Sequence, residues 1–139
     1  MDFIYADIEL INSEDIALVK RGLIRREEIK QIKVSMTVNT GAFMMAINEN
    51  IQSQLQFPFI EKRKIQFADK CIIEYDVVGP IYLRFGNRKA ICSALVFSGN
   101  NQPVLGTISI GEMDVVIDSL QRRLIPNPAN PDNAIIKMK

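Results

Sequence analysis

Three features predict an all-β chain, a small closed β-barrel with one or two short helices. The first is strict period-two alternation: Ile32, Val34, Met36 and Val38 are apolar, while Lys33, Ser35 and Thr37 between them are polar. That is the signature of a half-buried strand. The second is a series of short apolar runs separated by tight-turn residues, such as Gly86-Asn87 and Ser98-Gly99-Asn100-Asn101-Gln102-Pro103. The third is the shortness of every helical stripe.

From the start of the chain, Ile4, Ala6, Ile8 and Leu10 share one face of a strand, with Asp7 and Glu9 on the other. Asn12 or Ser13 is placed to cap a short helix through Ala17 and Val19, which stops at Gly22. The strand Gln31 to Val38 runs into Asn39-Thr40-Gly41-Ala42, and Phe43 to Ile47 reads as a further short strand. Asn48 is a natural N-cap for a helix with Ile51 and Leu55 on one face, ending before Pro58. Lys64–Phe67 and Cys71–Val78 then flank Ala68-Asp69-Lys70 as a hairpin, and Pro80–Phe85 and Lys89–Phe97 flank Gly86-Asn87 as another. Val115–Ile117 and Arg123–Ile125 are the last strands. Pro126, Pro128 and Pro131 keep the remainder out of any central strand. No linker divides the chain: residues 1–128 read as one domain and 129–139 as a proline-containing tail.

Composition excludes several chemistries. The 139 residues include no histidine and no tryptophan, and 47% are hydrophobic, enough for one core. Without histidine there is no Ser-His-Asp or Cys-His catalysis and no His-ligated zinc. Lys+Arg number 17 against 16 Asp+Glu, for a net charge of +1, so no general attraction to nucleic acid or an anionic membrane is expected. Local basic groups occur at Lys20-Arg21, Arg25-Arg26, Lys62-Arg63-Lys64 and Arg122-Arg123; with Glu27-Glu28 and Glu61 adjoining, they read as solvated edges and turns. No apolar run approaches the roughly 20 residues of a membrane helix, and the N-terminus lacks the pattern of a secretion signal. Cys71 and Cys92 fit no metal or redox spacing and read as buried free thiols, with one disulfide as the alternative. The expectation is a cytoplasmic protein without metal or cofactor.

Two segments depart from a plain β pattern: Val38-Asn39-Thr40-Gly41-Ala42, and later Val104-Leu105-Gly106-Thr107-Ile108 followed by Met113–Asp118 and a last strand. In this order they resemble the retropepsin-like aspartic proteases, in particular the small bacterial ones. There a strand leads to Asp-Thr-Gly-Ala or Asp-Ser-Gly-Ala, followed by a flap hairpin, an apolar-apolar-Gly segment, a short helix and a closing strand. The resemblance runs from about Phe3 to Pro128, with Ala68-Asp69-Lys70 at the flap and Glu74 to Pro80 at its exit. It implies the acid-protease barrel and a homodimer in which each subunit supplies one triplet across a two-fold axis. It also implies a peptide or protein substrate. Thr40 takes the place of the hydroxyl that bonds across the axis, and Gly41 that of the glycine close to the catalytic side chain. Ala42, with Phe67, Ala68 and Asp69 of the flap, falls beside the substrate. Ile65, Phe67, Ile72 and Met44 to Ile47 are candidate pocket residues.

The catalytic aspartate of the family falls at Asn39. Aspartic proteolysis needs two carboxylates about 3 Å apart that share a proton, one activating water and the other donating to the scissile carbonyl. A carboxamide does neither. Whether introduced by mutation or inherited, Asn39 implies an endopeptidase frame that is inactive as written; the alternative is a dimeric, non-catalytic peptide-binding relative. Asp69, Asp76, Asp114 and Asp118 read as turn, cap and surface carboxylates rather than replacements.

Overall fold

The computed structural model describes residues 3–138. The described residues are mostly β, with nine strands and three short α-helices rather than one or two. β1 (Tyr5–Asn12) and β2 (Gln31–Val38) pair antiparallel, with Ile8 opposite Val34 and Leu10 opposite Ile32. Their alternation does the expected work: Ala6, Ile8 and Leu10 of β1 and Met36 and Val38 of β2 are buried. Ile32 and Val34, nearer the connection between the two strands, are only half-buried.

β3 (Met45–Asn48) runs parallel to β6 (Arg88–Phe97), and the two-residue β7 (Val104–Leu105) is inserted between β2 and β3. β5 (Ile72–Phe85) is the longest strand and has two partners. Its first half carries β4 (Phe59–Gln66), and its second half, from Ile81 to Arg84, pairs with β1. Strands β1, β2, β7, β3, β6 and β5 thus form a ring, with β4 standing outside it on β5. β8 (Val115–Asp118) and β9 (Arg123–Pro126) make a separate antiparallel pair. The ring interior is filled by Ile8, Leu10, Met36, Ile47, Ile81, Leu83 and Leu105, all fully buried. Each such side chain contributes about 1.5–3 kcal/mol relative to exposure.

Several sequence expectations change. Pro80 suggests a break between two strands, yet β5 runs through it, and the ladder with β6 absorbs the proline by a register shift between Val78 and Ile81. β3 begins at Met45 rather than Phe43, because the Ala42 and Phe43 carbonyls accept the N–H groups of Thr107 and Ile108 instead of joining the sheet. β4 is longer than the predicted Lys64–Phe67. Its charged first half is held by cross-strand pairing, including Lys62 Nζ to Asp76 Oδ1 at 2.9 Å, and suits an edge strand. The third helix, α3 (Thr107–Met113), has the unpromising sequence Thr-Ile-Ser-Ile-Gly-Glu-Met and is held by burying Ser109 and Met113. Cys92 is buried as expected, but Cys71 is exposed because the β4–β5 hairpin tip has no layer above it; both thiols are free.

The other helices follow their caps. α1 (Ser13–Lys20) is capped by Asn12, whose Oδ1 accepts the Asp15 N–H at 3.1 Å. α2 (Glu49–Leu55) is capped by Asn48 through the Ile51 N–H at 2.8 Å. Asn48 also donates to the Asn101 carbonyl, tying the loop after β6 to the start of α2.

The proline-containing tail is fastened to this frame. The fully buried Arg88 donates to the Asn130 carbonyl, and Asn87 donates to the carbonyls of Pro131 and Asp132. Asp114, which ends α3, accepts from the Asn127 side chain at 3.0 Å, the Ile135 N–H at 3.0 Å and the Asn130 side chain at 2.8 Å. These donors hold its carboxyl at about 2, below the ordinary 3.8. A depressed carboxyl stabilises the fold fully above the unfolded value and loses that contribution as pH falls toward the folded one. Asp114→Asn keeps a residue tolerant of the left-handed backbone found there (φ 55°) while removing the charge. Urea midpoints at pH 4 and pH 2 are expected to differ less in this variant than in the unsubstituted chain.

Candidate functional site

The site is built where β2 ends. The Asn39 N–H donates to the Leu105 carbonyl at 3.0 Å, continuing the parallel pairing of Val38 with Leu105. The chain then turns, closed by the Ala42 N–H to the Asn39 carbonyl at 3.2 Å. Within the turn, the Gly41 N–H donates to Asn39 Oδ1 at 2.8 Å, which fixes the side-chain oxygen. A Cβ on Gly41 would lie 3.1 Å from that same oxygen, so a small residue suits the position.

The second segment locks onto this loop. Thr107 donates to the Ala42 carbonyl at 2.9 Å and Ile108 to the Phe43 carbonyl at 3.2 Å. Gly106 sits between them, where a Cβ would come within 2.8 Å of both the Ala42 and Met44 carbonyl oxygens. The two segments singled out in the sequence therefore form one clasp: three backbone hydrogen bonds and one glycine contact that leaves no room for a side chain.

The β4–β5 hairpin lies across from this clasp. Its turn is closed by the Lys70 N–H to the Phe67 carbonyl at 2.8 Å and by Cys71 N–H to Asp69 Oδ1 at 2.9 Å. Lys70 takes a left-handed backbone (φ 68°), where a non-glycine residue costs about 1–2 kcal/mol. Between the hairpin and the clasp is a cleft of about 560 Å³. Asn39, Gly41 and Ala42 line one side, Ile65, Phe67 and Ala68 the hairpin side, and Met44, Ala46, Leu95, Phe97 and Val104 the apolar floor. Tyr75 braces the hairpin, its ring 5.1 Å from that of Phe97 and 6.2 Å from that of Phe67.

Thus Asn39, Gly41, Ala42, Phe67 and Ala68 come together around one cleft. Thr40 is exposed beside it and Asp69 is spent on the hairpin turn, so neither lines it. Met45 and Ile47 are core residues, 1% and 0% exposed, because all of β3 is covered. Ile72 is 60% exposed and also lies outside the lining. Arg63 and Lys64 do line the cleft, and the sequence reading passed over them as part of a solvated basic run. Extending the alternation of Ile65 back by two residues would have put Arg63 on its face.

No aspartate or glutamate is among the residues lining the cleft. The four candidate carboxylates have structural partners instead: Asp69 in its turn, Asp76 on Lys62, Asp114 at the tail, and Asp118 with the Leu120 and Gln121 N–H groups. Among the described residues no group of three or more Cys, Asp or Glu side chains has an arrangement suited to a metal ion. No helix of the described residues is long and apolar enough to cross a membrane. No protein-family model matches the chain, and no curated protein matches it.

The clasp makes a direct test of packing. Gly106→Ala is expected to lower stability by about 1–3 kcal/mol through overpacking against the two carbonyls. Gly111→Ala, in the same helix but with nothing within 4 Å of the added Cβ, is expected to be neutral or to stabilise by about 0.5–1 kcal/mol. Urea denaturation of the pair measures both.

Proposed function

We propose that the chain is one half of a retropepsin-like aspartic endopeptidase site that works as a homodimer, and that Asn39 leaves it able to hold an extended peptide but not to cut it. The observation that carries this is the clasp: an Asn-Thr-Gly-Ala turn pinned by an apolar-apolar-Gly segment at the wall of a cleft, with a hairpin across from it. The ring of short strands is compatible with the barrel this family uses.

A single triplet per chain makes half a site. A dimer is supported by what surrounds the turn: Thr40 is exposed, and Phe43 and Ile108 on its flank are 69% and 39% exposed. Burial of these residues by a second copy would bring two triplets together, each supplying one position-39 side chain. With aspartates there, the like charges would force one proton to be shared, giving one base for water and one acid for the carbonyl. Two amides instead hydrogen-bond donor to acceptor without repulsion and without a titratable proton. Positioned acid–base catalysis, worth roughly 10²–10⁴ in rate, is lost together with activation of water.

The absence of any carboxylate in the lining favours the second reading, a natural non-catalytic module that pairs extended peptides through the backbone beneath the hairpin. Two free cysteines fit a reducing compartment such as the cytoplasm under either reading.

Asn39→Asp is expected to cleave a denatured protein at acidic pH, with inhibition by pepstatin-type compounds, while the unsubstituted chain shows no measurable cleavage. If neither form cuts while both are dimers, the non-catalytic reading stands. Cleavage by the unsubstituted chain, with Asn39 shown intact by mass spectrometry, contradicts the chemistry.

A further inference from the structure

We infer that the cleft selects extended peptides carrying an acidic side chain beside large apolar ones, and that Arg63 is the residue that reads the acid. This deepens the peptide-cleft reading above and rests on it. The charged residues in the lining are Arg63 and Lys64, both basic. Arg63 Nη1 lies 3.8 Å from Met44 Sδ, so the side chain reaches from the hairpin to the cleft floor. A thioether is a weak acceptor, and a guanidinium has five N–H donors, so most of its capacity is unspent.

Of the cations beside it on β4, Lys62 holds Asp76 at 2.9 Å, while Lys64 also lines the cleft and makes no ion pair among the described residues. Arg63 has no carboxylate within ion-pair distance among the described residues. Across the ladder it faces Tyr75, whereas Glu74 stands opposite Lys64 and Asp76 opposite Lys62. Glu61, the nearest acid along β4 itself, is exposed and makes no ion pair with it. A guanidinium without an ion-pair partner beside an apolar cleft offers a carboxylate a bidentate, charge-assisted hydrogen bond while the neighbouring apolar groups seat the rest of the peptide. Asn39 matters here as well. A catalytic carboxylate lining the same cleft would repel an acidic ligand, and the neutral amide does not.

The experiment uses a labelled octapeptide of Val, Phe and Ser with one central glutamate, together with its glutamine and lysine twins, read by fluorescence anisotropy against the full chain. The glutamate peptide is expected to bind about threefold or more tightly than the glutamine twin at low salt. Arg63→Met should abolish that difference, and Arg63→Glu should turn the preference toward the lysine twin. Arg63 is exposed, so both variants should keep the far-ultraviolet circular dichroism of the parent. Equal binding of the glutamate and glutamine peptides overturns the inference while leaving the peptide cleft standing. A preference that survives Arg63→Met overturns the assignment to Arg63. Failure of every peptide to bind removes the cleft reading and this inference together.

Discussion

The approach of Gly106 to the Ala42 and Met44 carbonyls is the constraint on which the rest of the site depends. At 2.8 Å from any added Cβ, this contact admits no side chain, and the neighbouring Thr107 and Ile108 amides complete it. It joins two segments that are far apart in sequence. It also diverts residues 42–44 from the sheet and exposes Phe43 on the flank of the turn. β7 is only two residues long because the chain must leave the ladder at Gly106 to make this contact and begin α3. The turn that carries Asn39 is therefore positioned largely by main chain, and it accommodates either an amide or a carboxylate at position 39.

Under the proposed reading, that tolerance separates binding from chemistry. Asn39 Oδ1 accepts the Gly41 amide, a role that a carboxylate oxygen would fill equally well. The frame thus tolerates either group, while only the carboxylate supplies a proton acceptor near neutrality or below. A chain without histidine and with no acid in the cleft has no other side chain there that exchanges protons in that range. The cleft offers an apolar floor, two cations and a hairpin wall, a set suited to recognition.

Much of the ring could be read from alternation and caps. Ile8, Leu10 and Met36 were visible as core because each lies on a face of period two, and Asn12 and Asn48 cap the helices that their positions suggested. What escaped was governed by contacts distant in sequence. The run of β5 through Pro80 depends on its neighbour β6 shifting register, which no local pattern encodes. The helix after Gly106, which the family resemblance implied but no local pattern showed, has poor intrinsic propensity and is held by the burial of Ser109 and Met113. Asp114 reads as a surface cap in the sequence, and its three donors, Asn127, Asn130 and Ile135, lie well beyond any local window. In the site, the turn and glycine segment were legible as motifs. Arg63 was not, since a basic run on an edge strand looks alike whether it faces water or a cleft.

The most direct test of the central claim is sedimentation equilibrium of the unsubstituted chain over a range of concentrations. A composite site requires a species at twice the chain mass of 15.7 kDa, with dissociation on replacing the exposed Phe43 by lysine. A chain that remains at 15.7 kDa at the highest concentration reached would contradict it, because a lone triplet has no partner with which to form the site.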